Sequence, residues 1–68
     1  MADIKKTIGA NLKRKLAERN ISLEKFAYEN DISKGYIYDV AKGKANISIE
    51  MLDKIAKGLK IKIRDLLD

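Results

Sequence analysis

Apolar residues recur at intervals of three and four along most of this chain, which predicts helix rather than strand. Ile4, Ile8, Leu12 and Leu16 lie four apart and, widened by Ala17, give a first helix over Ile4 to Arg19 one apolar face. Lys5, Lys6, Lys13, Arg14 and Lys15 fall off that face. Asn20, which tolerates positive φ, suits the turn that follows. A second helix begins at the N-cap Ser22, with Glu24 placed for the helix dipole, and its apolar face is Leu23, Phe26 and Ala27. It ends near Asn30 and Asp31, and Ile32 follows as an apolar plug in the turn. A third helix begins at the N-cap Ser33, turns Ile37, Val40 and Ala41 inward and stops before Gly43. A fourth begins at Ser48, with Glu50 in its first turn and a stripe of Ile49, Leu52, Ile55, Ala56 and Leu59. A last short helix covers Ile63 to Leu67. Only Ile61-Lys62-Ile63 alternates as a strand would, and it is too short to outweigh the rest. Five short helices with connections of a few residues predict a compact all-α bundle.

Composition narrows what such a bundle does. With 68 residues the chain makes one domain with a modest core. It has no Cys, hence no disulfide and no thiolate metal site, and a reducing compartment fits. It has no His, the commonest metal ligand and general base. It has no Gly-rich phosphate loop and no placeable pair of carboxylates, so no catalytic set emerges. Neither an enzyme, nor a metal, nor a cofactor is expected. No apolar run approaches the roughly 20 residues of a membrane span. The N-terminal M-A-D-I-K-K-T-I-G-A lacks the continuous apolar core of a signal peptide. A soluble cytoplasmic protein is the expectation. Fifteen Lys and Arg against ten Asp and Glu leave a net charge of +5, which favours a polyanion and equally describes a solvated lysine-rich surface. No Pro, low-complexity tract or internal repeat interrupts the pattern.

The informative unit is the second helix, its tight turn and the third helix. Ala27 is small where two helices would cross, and Asp31 sits in the turn. Ile32, Ile37 and Val40 face inward and would hold the third helix across the second, as in a helix-turn-helix. At about 100° per residue, Lys34, Gly35, Tyr38, Asp39 and Lys42 share the opposite face, with Tyr36 at its flank. An ordinary amphipathic surface helix has a polar face too.

Longer segments carry a resemblance. I-G-A-N-L-K-R-K-L, S-L-E-K-F-A-Y-E-N-D-I-S-K-G-Y-I and K-G-K-A-N-I-S-I-E-M-L-D-K-I-A-K-G-L-K-I follow one another at the spacing of the Cro/C1-type, XRE-like helix-turn-helix regulators. The chain resembles that family from Ile8-Gly9 to Leu66-Leu67. A-N-I-S-I-E-M-L-D-K-I-A-K-G-L is most similar to its small members, including restriction-modification controller proteins. The resemblance implies a five-helix bundle of the lambda-repressor-like type over residues 1–68, with the helix-turn-helix at helices 2 and 3. It implies a bacterial or phage regulator, cytoplasmic and nucleoid-associated, that binds double-stranded DNA with no small-molecule ligand. The chain departs from the family at several positions. Leu23 stands where the family often has a phosphate-contacting Gln, Asp31 where it usually has Gly, and Asn30 where it is usually apolar. Leu16 and Ala41 stand where it often pairs Arg with Glu, an exchange that packed apolar residues can make neutral or stabilising.

Carried over residue by residue, the resemblance implies base reading by Lys34, Gly35, Tyr38 and Asp39. Lys34 would donate to guanine O6 and N7, and Tyr38 would pack on a thymine methyl or donate its hydroxyl. Gly35 would let the backbone approach. Asp39 would accept from cytosine N4, or simply balance Lys42 or Lys34. Phosphate contacts fall to Lys42, Lys44 and Asn46 after the third helix, to the Tyr36 hydroxyl, and to the amides at Ser22 and Leu23. Helix 3 carries no Arg, Asn or Gln, so specificity would lean on Lys34, Tyr38 and DNA shape. Spare apolar residues near the C-terminus, Leu59, Ile61, Ile63, Leu66 and Leu67, would in part close the core and in part form a small homodimer interface. The rival reading is a protein-interaction or antitoxin-like module on this fold, which Gly35, Leu23 and the missing bidentate readers favour. A basic membrane-surface helix fits poorly with short, capped helices.

Overall fold

The structure, a computed structural model, describes residues 3–68. These residues form five α-helices: α1 (Ile4–Glu18), α2 (Leu23–Glu29), α3 (Lys34–Ala41), α4 (Ile49–Leu59) and α5 (Arg64–Leu67). Helices 1 to 4 start alike. Asp3, Ser22, Ser33 and Ser48 each sit in extended backbone, and their side-chain oxygens accept from the amides of Lys5, Lys25, Tyr36 and Met51. These caps satisfy amides that a helix start otherwise leaves open.

The same four helices also end alike. Asn20, Asp31, Gly43 and Lys60 take left-handed backbone, with φ of 56°, 56°, 76° and 59°. The amide of the next residue then reaches back five: Ile21 to the Leu16 carbonyl, Ile32 to Ala27, Lys44 to Asp39 and Ile61 to Ala56. This is the Schellman geometry, in which the residue after the left-handed one often packs apolar. After α1, α2 and α4 that residue is an isoleucine buried in or packed against the core. After α3 it is the exposed Lys44. Among the four, Lys60 alone is of a residue type with no leaning toward left-handed backbone.

The core joins all five helices: Ile8, Leu12 and Leu16 of α1, Phe26 and Ala27 of α2, Ile37, Val40 and Ala41 of α3, Ile55, Ala56 and Leu59 of α4 and Leu66 of α5, with Ile32 as the turn's plug. The stripes run shorter than the periodicity suggests. Ala17 is exposed instead of widening the face of α1, because it is a full 100° step from Leu16. Ile4 and Ile49 are 52% and 78% exposed; each is the first residue of its helix and overhangs the core. Asn30 keeps a half-buried place by turning inward. Its Nδ2 donates to the Phe26 carbonyl at 2.9 Å, and its side chain fills the space over Gly58.

Candidate nucleic-acid interface

Three contacts set the position of α3. Its buried Ile37, Val40 and Ala41 face the core. Its last turn lies hard against α1, where a Cβ placed on Gly9 would come 2.5 Å from the Val40 carbonyl oxygen and 2.6 Å from that of Ala41. The turn before it is tied to α4, where Lys54 Nζ donates to the Asp31 carbonyl at 3.1 Å. Asp31 thus occupies the usual glycine position in left-handed backbone with its carbonyl held from outside.

Lys34, Gly35, Asp39 and Lys42 are exposed on one side of α3, and Tyr38 is half-buried beside them. The periodicity placed this face correctly. It did not show what lies against it. Tyr38 Oη donates to Glu24 Oε1 at 3.2 Å, and Lys34 Nζ lies 3.5 Å from the same oxygen. Lys34 is therefore paired with Glu24 and not with Asp39, which makes no ion pair among the described residues. In this arrangement the Tyr38 proton points to Glu24, which leaves the lone pairs of its hydroxyl oxygen facing outward. Glu24, placed by the sequence only for the dipole of α2, makes these contacts with residues ten and fourteen positions away, beyond any helical period.

The loop after α3 is built around Tyr36. Its hydroxyl donates to the Asn46 carbonyl at 3.2 Å and pins the Lys42–Asn46 loop to the flank of α3. In this bond the one proton of the phenol goes to the Asn46 carbonyl. Partial burial raises the Tyr36 phenol above its ordinary pKa. Lys42, Lys44 and Asn46 are exposed along the loop. Gly43 packs on α1, where an added Cβ would lie 2.9 Å from Lys6 Cγ. That contact brings the exposed Lys6 beside the loop lysines, a neighbour the chain order does not suggest. At the start of α2, Ser22 Oγ accepts from the Lys25 amide at 3.1 Å, and Leu23 packs against the core.

The C-terminal apolar set divides. Leu59 and Leu66 are 1% and 0% exposed, so both close the core and neither is an interface residue of this surface. The reason is α5, which is fixed against α1 by the buried Asn11, whose Nδ2 donates to the Leu66 carbonyl at 2.8 Å. Ile61 and Ile63 are half-buried, and Leu67 and Ile49 are exposed. No helix among the described residues is long and apolar enough to cross a membrane.

The profile of the Cro/C1-type HTH DNA-binding domain matches residues 11–68. The chain belongs to that family. Control protein C.BamHI of Bacillus amyloliquefaciens is 41% identical over 54 residues, which is 79% of this chain and 67% of that protein. Control protein C.MunI of a Mycoplasma species is 37% identical over 67 residues, 97% of this chain and 90% of that protein. The crystal structure of the restriction-modification controller protein C.AhdI from Aeromonas hydrophila superposes with a TM-score of 0.85 at 26% identity, covering 91% of this chain and 94% of that one. The expected family and five-helix fold both hold. As a Cro/C1-type helix-turn-helix chain it is a sequence-specific DNA-binding regulator of transcription.

Proposed function

We propose that the chain acts as a homodimer on a palindromic operator, with α3 of each protomer in the major groove. Lys34, Gly35, Tyr38 and Asp39 meet base edges. Lys42, Lys44 and Asn46 hold phosphates on one side, and the first amides of α2 at Ser22 and Leu23 hold them on the other. The observation that carries the reading is the outward face of α3. It is free of core duty, yet it is fixed from behind by α1 and α2 and bordered by Lys34, Lys42 and Lys44.

Size limits what one copy reads. Eight residues make a helix about 12 Å long. Bases lie about 3.4 Å apart, so one α3 spans three to four base pairs. Useful specificity then needs two copies on half-sites about 34 Å apart. Ile61, Ile63 and Leu67 supply the apolar contact, with Ile49 beside them in character if not in sequence. The similarity to two control proteins and to C.AhdI supports a small controller-type regulator, acting in the cytoplasm on the nucleoid.

Selection from randomised duplexes at about 0.15 M salt, where purely electrostatic binding is weak, tests this. The expected product is a palindrome with half-sites one helical turn apart. Recovered duplexes with no shared sequence would remove base reading from α3. A single unpaired half-site would remove the dimer.

A further inference from the structure

Glu24 of α2 reaches across to the outward face of α3. Glu24 Oε1 accepts from Tyr38 Oη at 3.2 Å and lies 3.5 Å from Lys34 Nζ. One carboxylate oxygen from α2 therefore gathers two of the α3 side chains assigned to the bases, Lys34 and Tyr38. An ionised carboxylate only accepts. A tyrosine hydroxyl has one proton and two acceptor sites. With the proton committed to Glu24, Tyr38 faces outward as an acceptor alone. The Lys34 ammonium has three protons, so one turned toward Glu24 leaves two for an outside acceptor.

We infer that Glu24 is a specificity-determining residue: it sets the hydrogen-bonding polarity of Tyr38, so that Tyr38 selects a base presenting an amino group, adenine N6 or cytosine N4. This rests on the proposal that α3 lies in the major groove. In that groove adenine and cytosine present such donors, whereas guanine and thymine present O6 and O4 acceptors that this Tyr38 repels. Lys34, turned the same way, keeps its preference for the guanine acceptors. The reading pair thus asks for a donor at one position and acceptors at the neighbouring one. The second effect of Glu24 is general. Its charge opposes the approach of any phosphate, so it lowers affinity for unrelated duplexes while sharpening choice among related ones.

The test compares wild type, Glu24→Ala, Tyr38→Phe, the double variant of these two and Lys34→Ala on the selected operator. Each base pair of one half-site is replaced in turn, and an unrelated duplex gives the background. Tyr38→Phe keeps the ring that packs on the core, and the Glu24 side chain is exposed, so the variants keep the fold. Thermal unfolding of each checks that. The expected result is one position at which wild type prefers adenine or cytosine by about fivefold, the size of one net hydrogen bond. Tyr38→Phe and Glu24→Ala both lose that preference, and the double variant loses no more than either. Glu24→Ala also binds the unrelated duplex several-fold more tightly. If Tyr38→Phe loses the preference and Glu24→Ala keeps it, the role of Glu24 is overturned and groove reading by α3 stands. If neither Tyr38→Phe nor Lys34→Ala alters preference at any position, the groove reading itself fails and this inference with it.

Discussion

Replacing Gly9 with Ala puts the α1–α3 crossing to a direct test. On helix propensity alone the change should help by about 1 kcal/mol. The crossing forbids that gain. The new methyl would meet the Val40 and Ala41 carbonyl oxygens at 2.5 and 2.6 Å, where ordinary contact starts near 3.4 Å. Both obstacles are backbone and cannot rotate aside, so α1 and α3 must part by about 0.9 Å. Overpacking of this kind costs about 1–3 kcal/mol and sometimes more. The net expectation is that the propensity gain is cancelled and up to about 2 kcal/mol is lost. In a domain of this size each kcal/mol moves Tm by about 4–8 °C. Gly35→Ala is the control, on the same scaffold but with open space around the added Cβ. It should stabilise by up to about 0.5–1 kcal/mol and weaken operator binding, because the methyl stands between α3 and the bases. Urea unfolding followed by far-ultraviolet circular dichroism reads both. A Gly9→Ala protein stabilised by the full propensity gain of about 1 kcal/mol would refute the close crossing, and with it the account of how α3 is held.

Three further outcomes follow from the same geometry. Lys42→Ala should weaken binding to all duplexes alike and lower the salt slope of log K by about one unit, whereas Lys34→Ala should relax preference at one position; competition titrations at several salt concentrations separate the two. Asn11→Ala leaves the Leu66 carbonyl without its donor inside the core and should cost about 1–3 kcal/mol in urea, with larger loss of any dimer seen by sedimentation, since α5 is what Asn11 fixes. The Tyr36 phenol is held above its ordinary value of about 10, so the folded state keeps the proton more tightly than the unfolded one. Its contribution is full below about pH 10 and is lost as pH rises through the folded-state pKa. The alkaline fall in stability should therefore be shallower in Tyr36→Phe, and equal slopes in the two proteins would count against the burial that holds the phenol in its protonated form.

What the sequence revealed divides by distance along the chain. Helix starts depend on a serine or aspartate three residues or fewer from the amide it caps, and all three serine caps could be read directly. Left-handed ends at Asn20 and Asp31 were readable because the residue type itself favours that backbone. Lys60 was not, because lysine has no such preference and tertiary packing imposed it. The outward face of α3 followed from the helical period alone. Its surroundings did not: Glu24 of α2 meets that face, Gly9 of α1 lies behind it and Lys6 of α1 lies against the following loop, and periodicity names an apolar face without naming what covers it. Leu59 and Leu66 failed for the same reason, since the pattern cannot tell a residue that closes its own core from one that closes a partner's.

The helix ends show where folding and function part. At three of them the fold uses the residue after the left-handed position to bring an isoleucine to the core. Lys44 makes the same backbone hydrogen bond, to the Asp39 carbonyl at 2.9 Å, so the geometry of the turn is kept while the apolar contact is given up. Nothing in the cap requires a charge there. The loop is closed instead by Tyr36 on Asn46 and by Gly43 against Lys6, two contacts that hold the backbone without covering the lysine. A stabilising position has thus been turned outward beside Lys42, and the Tyr36 hydroxyl has been turned inward to keep the loop in place. The lysines proposed to hold phosphate are thus side chains the fold does not need, while the Tyr36 hydroxyl serves the loop that carries them.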